Sequence, residues 1–239
     1  MEKNETIDLD KARELVCNAA LWPRVRDFLW DFAPQIHESW LEGVFKGIDG
    51  NRLQSTAIDS PRVKRYILDS LGVKPFFHSF PKDDGSRLAL FDGATLLEIA
   101  RWLGALVCAD QLRRVTSGAE VRALKAALPG VYPEVFGYTA YFGSLEVWKF
   151  GGLEVETVDG EKNIAETVIS TGSAILFSAV SSLPVPLVSR LKLKLPNRAT
   201  SKPLNLETSK PLSKPLNLQT SILKLLKLKF PKDYALCCS

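Results

Sequence analysis

The chain has 239 residues, 46% hydrophobic and 24% charged, with mean hydropathy of zero and a net charge of +4. This is ordinary soluble globular composition, long enough for one sizeable core or two smaller ones. The four cysteines, Cys17, Cys108, Cys237 and Cys238, show neither zinc spacing nor a disulfide framework, which excludes a disulfide-stapled fold and fits a reducing compartment.

The average charge hides an asymmetry. From Arg190 onward eleven Lys/Arg face only Glu207 and Asp233, so that segment is +9 and residues 1–189 are −5. An acidic body with a basic tail suggests different partners for each part, or a solvated tail with none. The N-terminus is polar with no apolar core, so no secretory signal is expected. Cys237-Cys238-Ser239 is not a prenylation box, because Leu236 stands four from the end.

Leu9, Ala12, Val16, Ala19 and Ala20 space as a first helix from near Asp8 to Leu21 or Trp22. Pro23 breaks it or opens the next, a short helix over 24–32 with Phe28, Leu29 and Phe32. After Pro34 a turn leads to a helix with Trp40, Leu41 and Val44. Ser60-Pro61 reads as N-cap and N1 of a helix carrying Val63, Tyr66, Ile67 and Leu71, and Gly72 stops it. Residues 82–86 form an exposed turn.

The best specified stretch is 92–128. Leu96, Ile99, Ala100, Leu103, Leu106 and Val107 share one helical face, and Thr95 with Glu98 has capping-box spacing. A second box, Ser117 with Glu120, opens a partner helix that Pro129-Gly130 ends. Pro133 opens a short helix to Phe142. Leu145–Phe150 and Leu153–Val158 around Gly151-Gly152 read as a small β-hairpin. Residues 161–182 form the last long helix; its uncharged stretch is rich in Ser and Thr and is read as core rather than membrane-spanning. Leu191-Lys-Leu-Lys-Leu-Pro196 alternates with period two, as an edge strand does. Ser201-Lys-Pro-Leu-Asn-Leu-Glu-Thr-Ser recurs at Ser213, and this Lys/Pro-rich tail is expected to be disordered, with a short basic amphipathic helix over 222–230 as the alternative.

The fold expected is mainly α: about seven to nine helices and a small β-hairpin in a single domain over 1–200, then a basic low-complexity tail over 201–239. The chain has no P-loop, no nucleophile elbow and no dinucleotide fingerprint. His37 and His78 have no ligand-spaced neighbours, and His37 reads as a structural residue at a helix start. Asp83-Asp84-Gly85 lacks the remaining calcium-loop positions. Neither a catalytic group nor a cofactor or metal site is expected. The five tryptophans read as core anchors, with Trp148 and Phe150 on the hairpin the best exposed aromatic contacts. Arg113-Arg114, at a helix end, complement the helix dipole and face solvent. These four residues are the candidate protein contacts.

Three stretches, in order, resemble the type III secretion accessory family known as SctK, YscK or OrgA. Phe32-Ala-Pro34-Gln-Ile-His37-Glu-Ser-Trp40-Leu41 is similar to that family's Phe-x-Pro element with a following His and Trp-Leu. Leu103-Gly104 through Leu112-Arg113-Arg114 resembles its Leu-Gly helix ending in Leu-Arg-Arg. Gly172 through Val180 and then Arg190-Leu-Lys-Leu-Lys-Leu-Pro196 resemble its last long helix and closing run. The likeness covers about residues 25–200; the repeat tail has no counterpart in it, and the hairpin region is more strand-like than the family.

The resemblance implies a non-enzymatic cytoplasmic adaptor in the sorting platform of the injectisome, at the cytoplasmic face of the inner membrane. Its implied partners are the cytoplasmic domain of the inner-membrane ring protein and the C-ring or pod protein, and through the latter the ATPase stator. It implies no cofactor, nucleic acid or transmembrane segment. The competing readings are an unrelated soluble helical scaffold, a motif-less hydrolase or transferase, and a protein held to the membrane by Thr167–Ser189 or by its basic tail.

Overall fold

Proline and glycine punctuate the helices. The computed structural model describes residues 21–46, 60–73, 87–142, 164–180, 183–197 and 215–238. Among the described residues there are eleven α-helices, two 3-10 turns and no strand. The first expected helix, the 82–86 turn and the 145–158 hairpin lie outside them. The chain divides into two compact units: Met1–Gly93 with Leu183–Pro196 and Lys227–Ser239, and Ala94–Ser182 with Asn197–Leu226.

In the first unit, α1 (Trp22–Trp30) carries Pro23 in its first turn, where no backbone N–H is needed, and buries Val25, Phe28 and Leu29. A 3-10 turn, Ala33–Gln35, leads to α2 (Glu38–Val44). His37 caps α2: its Nδ1 accepts from the Ser39 backbone N–H at 3.2 Å, the structural role expected of it. Helix α3 (Pro61–Ser70) starts at the Ser60-Pro61 signal and buries Ile67 and Leu68. It ends where Gly72 takes a φ of +67°, a left-handed conformation that glycine adopts without strain. Lys64 on α3 pairs with Asp31, just after α1, at 2.8 Å. A second 3-10 turn, Leu88–Leu90, is wholly buried.

Residues 191–196, expected as an edge strand, are instead the end of helix α9 (Val185–Leu193) and its cap at Lys194. Leu187, Leu191 and Leu195, four apart, are all buried, and so are Arg190 and Lys194. The period-two alternation was a short window on a 3.6-residue pattern.

In the second unit, α4 (Gly93–Val107) buries Leu96, Ile99, Ala100, Trp102, Leu103 and Leu106. It begins two residues before the expected Thr95. Cys108 separates it from the short α5 (Ala109–Arg113). Helix α6 (Gly118–Ala127) follows Ser117 as N-cap, although the Ser117 side chain makes no capping hydrogen bond. Helices α7 (Val135–Phe142) and α8 (Ile164–Ala179) complete the unit's long elements.

The expected disordered tail is helical over its last part, in α10 (Pro215–Lys229) and α11 (Pro231–Cys238). Ile222, Leu225 and Leu226, spaced i, i+3, i+4, are fully buried. That apolar stripe gives the segment the burial that the composition of the tail as a whole lacks.

Candidate protein-contact site

The residues that carry the three motifs hold each unit together. In the first unit the Phe32–Leu41 element is joined to the Arg190–Pro196 run. The His37 backbone N–H donates to the Leu193 carbonyl at 2.9 Å, and Trp40 Nε1 donates to the Leu195 carbonyl at 2.8 Å. Arg190 and Lys194 enter the core, 0% and 1% exposed. Lys194 Nζ donates to the carbonyls of Ala89 (2.7 Å) and Phe91 (2.8 Å) and lies 5.0 Å from the Phe28 ring centroid. Arg190 donates to the Phe28 carbonyl, with its guanidinium 5.0 Å from the Phe32 ring and 5.5 Å from the Phe28 ring. Carbonyl dipoles and aromatic faces replace the water these cations lose. Desolvation lowers the Arg190 pKa to about 10, so the group stays cationic at neutral pH.

In the second unit the Leu103-Gly104 motif is where α4 meets α8. A Cβ on Gly104 would overlap the Val168 carbonyl oxygen, and one on Gly172 would overlap the Ala100 carbonyl oxygen. The two helices therefore cross with backbone against backbone, a distance that only glycine permits at both positions. Next to this crossing the Cys108 thiol is buried and hydrogen-bonded to Thr171; desolvation raises its pKa to about 11. It is an inert core thiol rather than a nucleophile.

Of the predicted contact residues, Arg113 and Arg114 lie together at the end of α5, both exposed. Arg113 is held in place: it donates to Thr139 Oγ1 at 2.7 Å, pairs with Asp110 at 3.3 Å, and lies 5.4 Å from the Phe136 ring. An arginine braced on an aromatic ring needs little further ordering to engage a partner. Trp148 and Phe150 lie outside the described residues. The reading of all five tryptophans as core anchors is corrected at Trp30, which is 48% exposed with Trp22 edge-on at 5.7 Å. Trp30 follows Arg26 by four residues, opposite the Val25/Phe28/Leu29 stripe, and that spacing was the available signal. Tyr66 is likewise exposed, beside Phe45.

Among the described residues no group of His, Cys, Asp or Glu is placed to hold a metal ion, and no helix is long and apolar enough to cross a membrane. What the described surface offers is arginine and aromatic side chains, the residue types that anchor protein interfaces.

The model of the family described as YOP proteins translocation protein K (YscK) matches residues 26–131. Across those residues the chain is similar to the YscK family. The match takes in the first two motifs, including Gly104, Arg113 and Arg114. Neither the curated proteins nor the solved structures give a match.

Proposed function

We propose that this protein is a non-enzymatic cytoplasmic adaptor of the type III secretion sorting platform, linking the inner-membrane ring protein to the C-ring or pod protein. The observation that carries this reading is the family match over residues 26–131. The fate of the motif residues supports it. They are used to make each unit rigid, through the Arg190/Lys194 core and the Gly104/Gly172 crossing, rather than to assemble reactive groups. Each unit then presents exposed side chains suited to protein contact: Trp30 and Tyr66 on the first, Arg113 and Arg114 on the second. An adaptor acts by geometry, and two well-packed units supply two surfaces.

The test is affinity capture of the tagged full chain from its native cells, with mass spectrometry of the bound proteins. Recovery of both the pod protein and the inner-membrane ring protein is expected. Recovery of neither, with other complexes of the apparatus retained, overturns the reading.

A further inference from the structure

Inside the second unit, the Arg113 guanidinium is set by three contacts of unequal quality. Its carbon lies 5.4 Å from the centroid of the Phe136 ring, and Tyr132 meets that ring edge-on at 5.5 Å. One terminal nitrogen donates to Thr139 Oγ1 at 2.7 Å, and that hydroxyl donates onward to the Phe136 carbonyl at 2.9 Å. The other terminal nitrogen meets Asp110 at 3.3 Å. A tight guanidinium–carboxylate bond is shorter, about 2.7–2.9 Å. The Asp110 side chain is 86% exposed, so this third contact is loose while the other two are firm. Arg114, the next residue, is exposed and bonded to no acid among the described residues.

We propose that this cluster takes a carboxylate from an acidic segment of a protein partner, which displaces Asp110 from Arg113. An apolar side chain of the same segment then lies against the half-buried Tyr132 and Phe136. Asp110 is an internal stand-in for the partner's acid, and it shows which end of the guanidinium is open to one. Two cations stand against a single loosely held carboxylate, which is the charge complementarity an acidic segment needs. A phosphate group calls for several converging donors, and Arg113 has already committed one end to Thr139. The aromatic flank also suits a protein chain, since arginine beside aromatic rings is the composition of interface centres. This inference rests on the adaptor reading, which supplies the partners to be tested.

The test is calorimetric titration of the purified full chain and its variants with the pod protein and with the cytoplasmic domain of the inner-membrane ring protein. For one of the two, D110N removes the competitor and tightens binding by about threefold. R113Q weakens it at least about tenfold. D110N/R113Q binds no more tightly than R113Q, because the gain acts only through Arg113. E120Q removes the same charge from an exposed position of α6 and stays within about 1.5-fold of wild type. D110N and E120Q keep the melting temperature within about 2 °C, as both carboxylates are exposed. A D110N protein that binds no tighter, a gain that survives in D110N/R113Q, or an equal gain in E120Q overturns the proposal and leaves the adaptor reading standing. A dimer of the chain alone that R113Q abolishes also overturns it, with a second copy as the occupant. A wild-type chain that binds neither partner overturns both.

Discussion

Replacing Gly104 by alanine tests the central packing feature of the second unit, because two effects of opposite sign compete there. Alanine is the better helix former by about 1 kcal/mol, so propensity alone predicts a more stable protein. Against that, the added methyl would sit 2.7 Å from the Val168 carbonyl carbon and 3.0 Å from the Gly172 nitrogen, besides overlapping the Val168 oxygen. The opposing atoms are backbone and cannot rotate away. Helices α4 and α8 must part by about 1 Å, which places the overpacking cost near the top of its usual range, about 3 kcal/mol. The net expectation is a loss of about 2 kcal/mol, or a fall of about 4–8 °C in a chain of this size. Thermal and urea unfolding followed by circular dichroism read it directly. Gly137 supplies the control: it is also helical, but nothing lies within 4 Å of its added methyl. G137A should therefore gain up to about 1 kcal/mol. G104A/G172A should lose less than the sum of the single changes, since one separation of the helices serves both. A G104A protein as stable as wild type, or more so, refutes the backbone-to-backbone crossing.

Lys194→Met leaves the Ala89 and Phe91 carbonyls without the ammonium and should cost about 3 kcal/mol in urea unfolding, whereas Lys192→Met, at an exposed position 5.8 Å from the Trp40 ring, should cost under about 1 kcal/mol. The Cys108 pKa is raised from 9.0 to about 11 in the folded chain, so the folded state holds its proton where the unfolded state has lost it. Stability from this group is full below pH 9 and falls by about 2–3 kcal/mol as pH rises to 11, and the difference in slope between wild type and Cys108→Ala measures it. R113E/R114E loses the Arg113 contacts to Thr139, Asp110 and Phe136 and should lower the melting temperature by about 2–6 °C without unfolding the chain, yet weaken capture of one partner at least tenfold in a binding titration. Pod-protein affinity should fall as salt is raised; indifference to salt would contradict electrostatic steering by the acidic body and basic tail.

The helices of the second unit were legible because their apolar spacing extends over several turns. Leu96, Ile99, Leu103 and Leu106 give one clear period, and all are buried. Arg190–Pro196 was not legible from its own residues. Over six positions Leu-Lys-Leu-Lys-Leu fits a strand and a helix alike, and only the burial of Leu187 four residues earlier separates them. A lysine is ordinarily taken to face water, so the core position of Lys194 depends on carbonyls more than a hundred residues away in sequence. The Gly104/Gly172 crossing could not be read either, because hydropathy reports which face is buried and not how closely two backbones approach. In the tail, the compositional signal of the Lys-Pro-Leu repeats outweighed the short Ile222/Leu225/Leu226 stripe. The exposure of Arg113 and Arg114 followed from their place at a helix end. The exposure of Trp30 follows from its helical phase, which the residue type alone does not convey.

The most direct test of the linking role is reconstitution of purified full chain with the pod protein and the cytoplasmic domain of the inner-membrane ring protein, followed by sedimentation velocity. A ternary species that forms only when this protein is present is the result the account predicts. Two binary complexes that compete, with no ternary species at any ratio, would contradict it, because a protein that binds its partners only in turn does not link them.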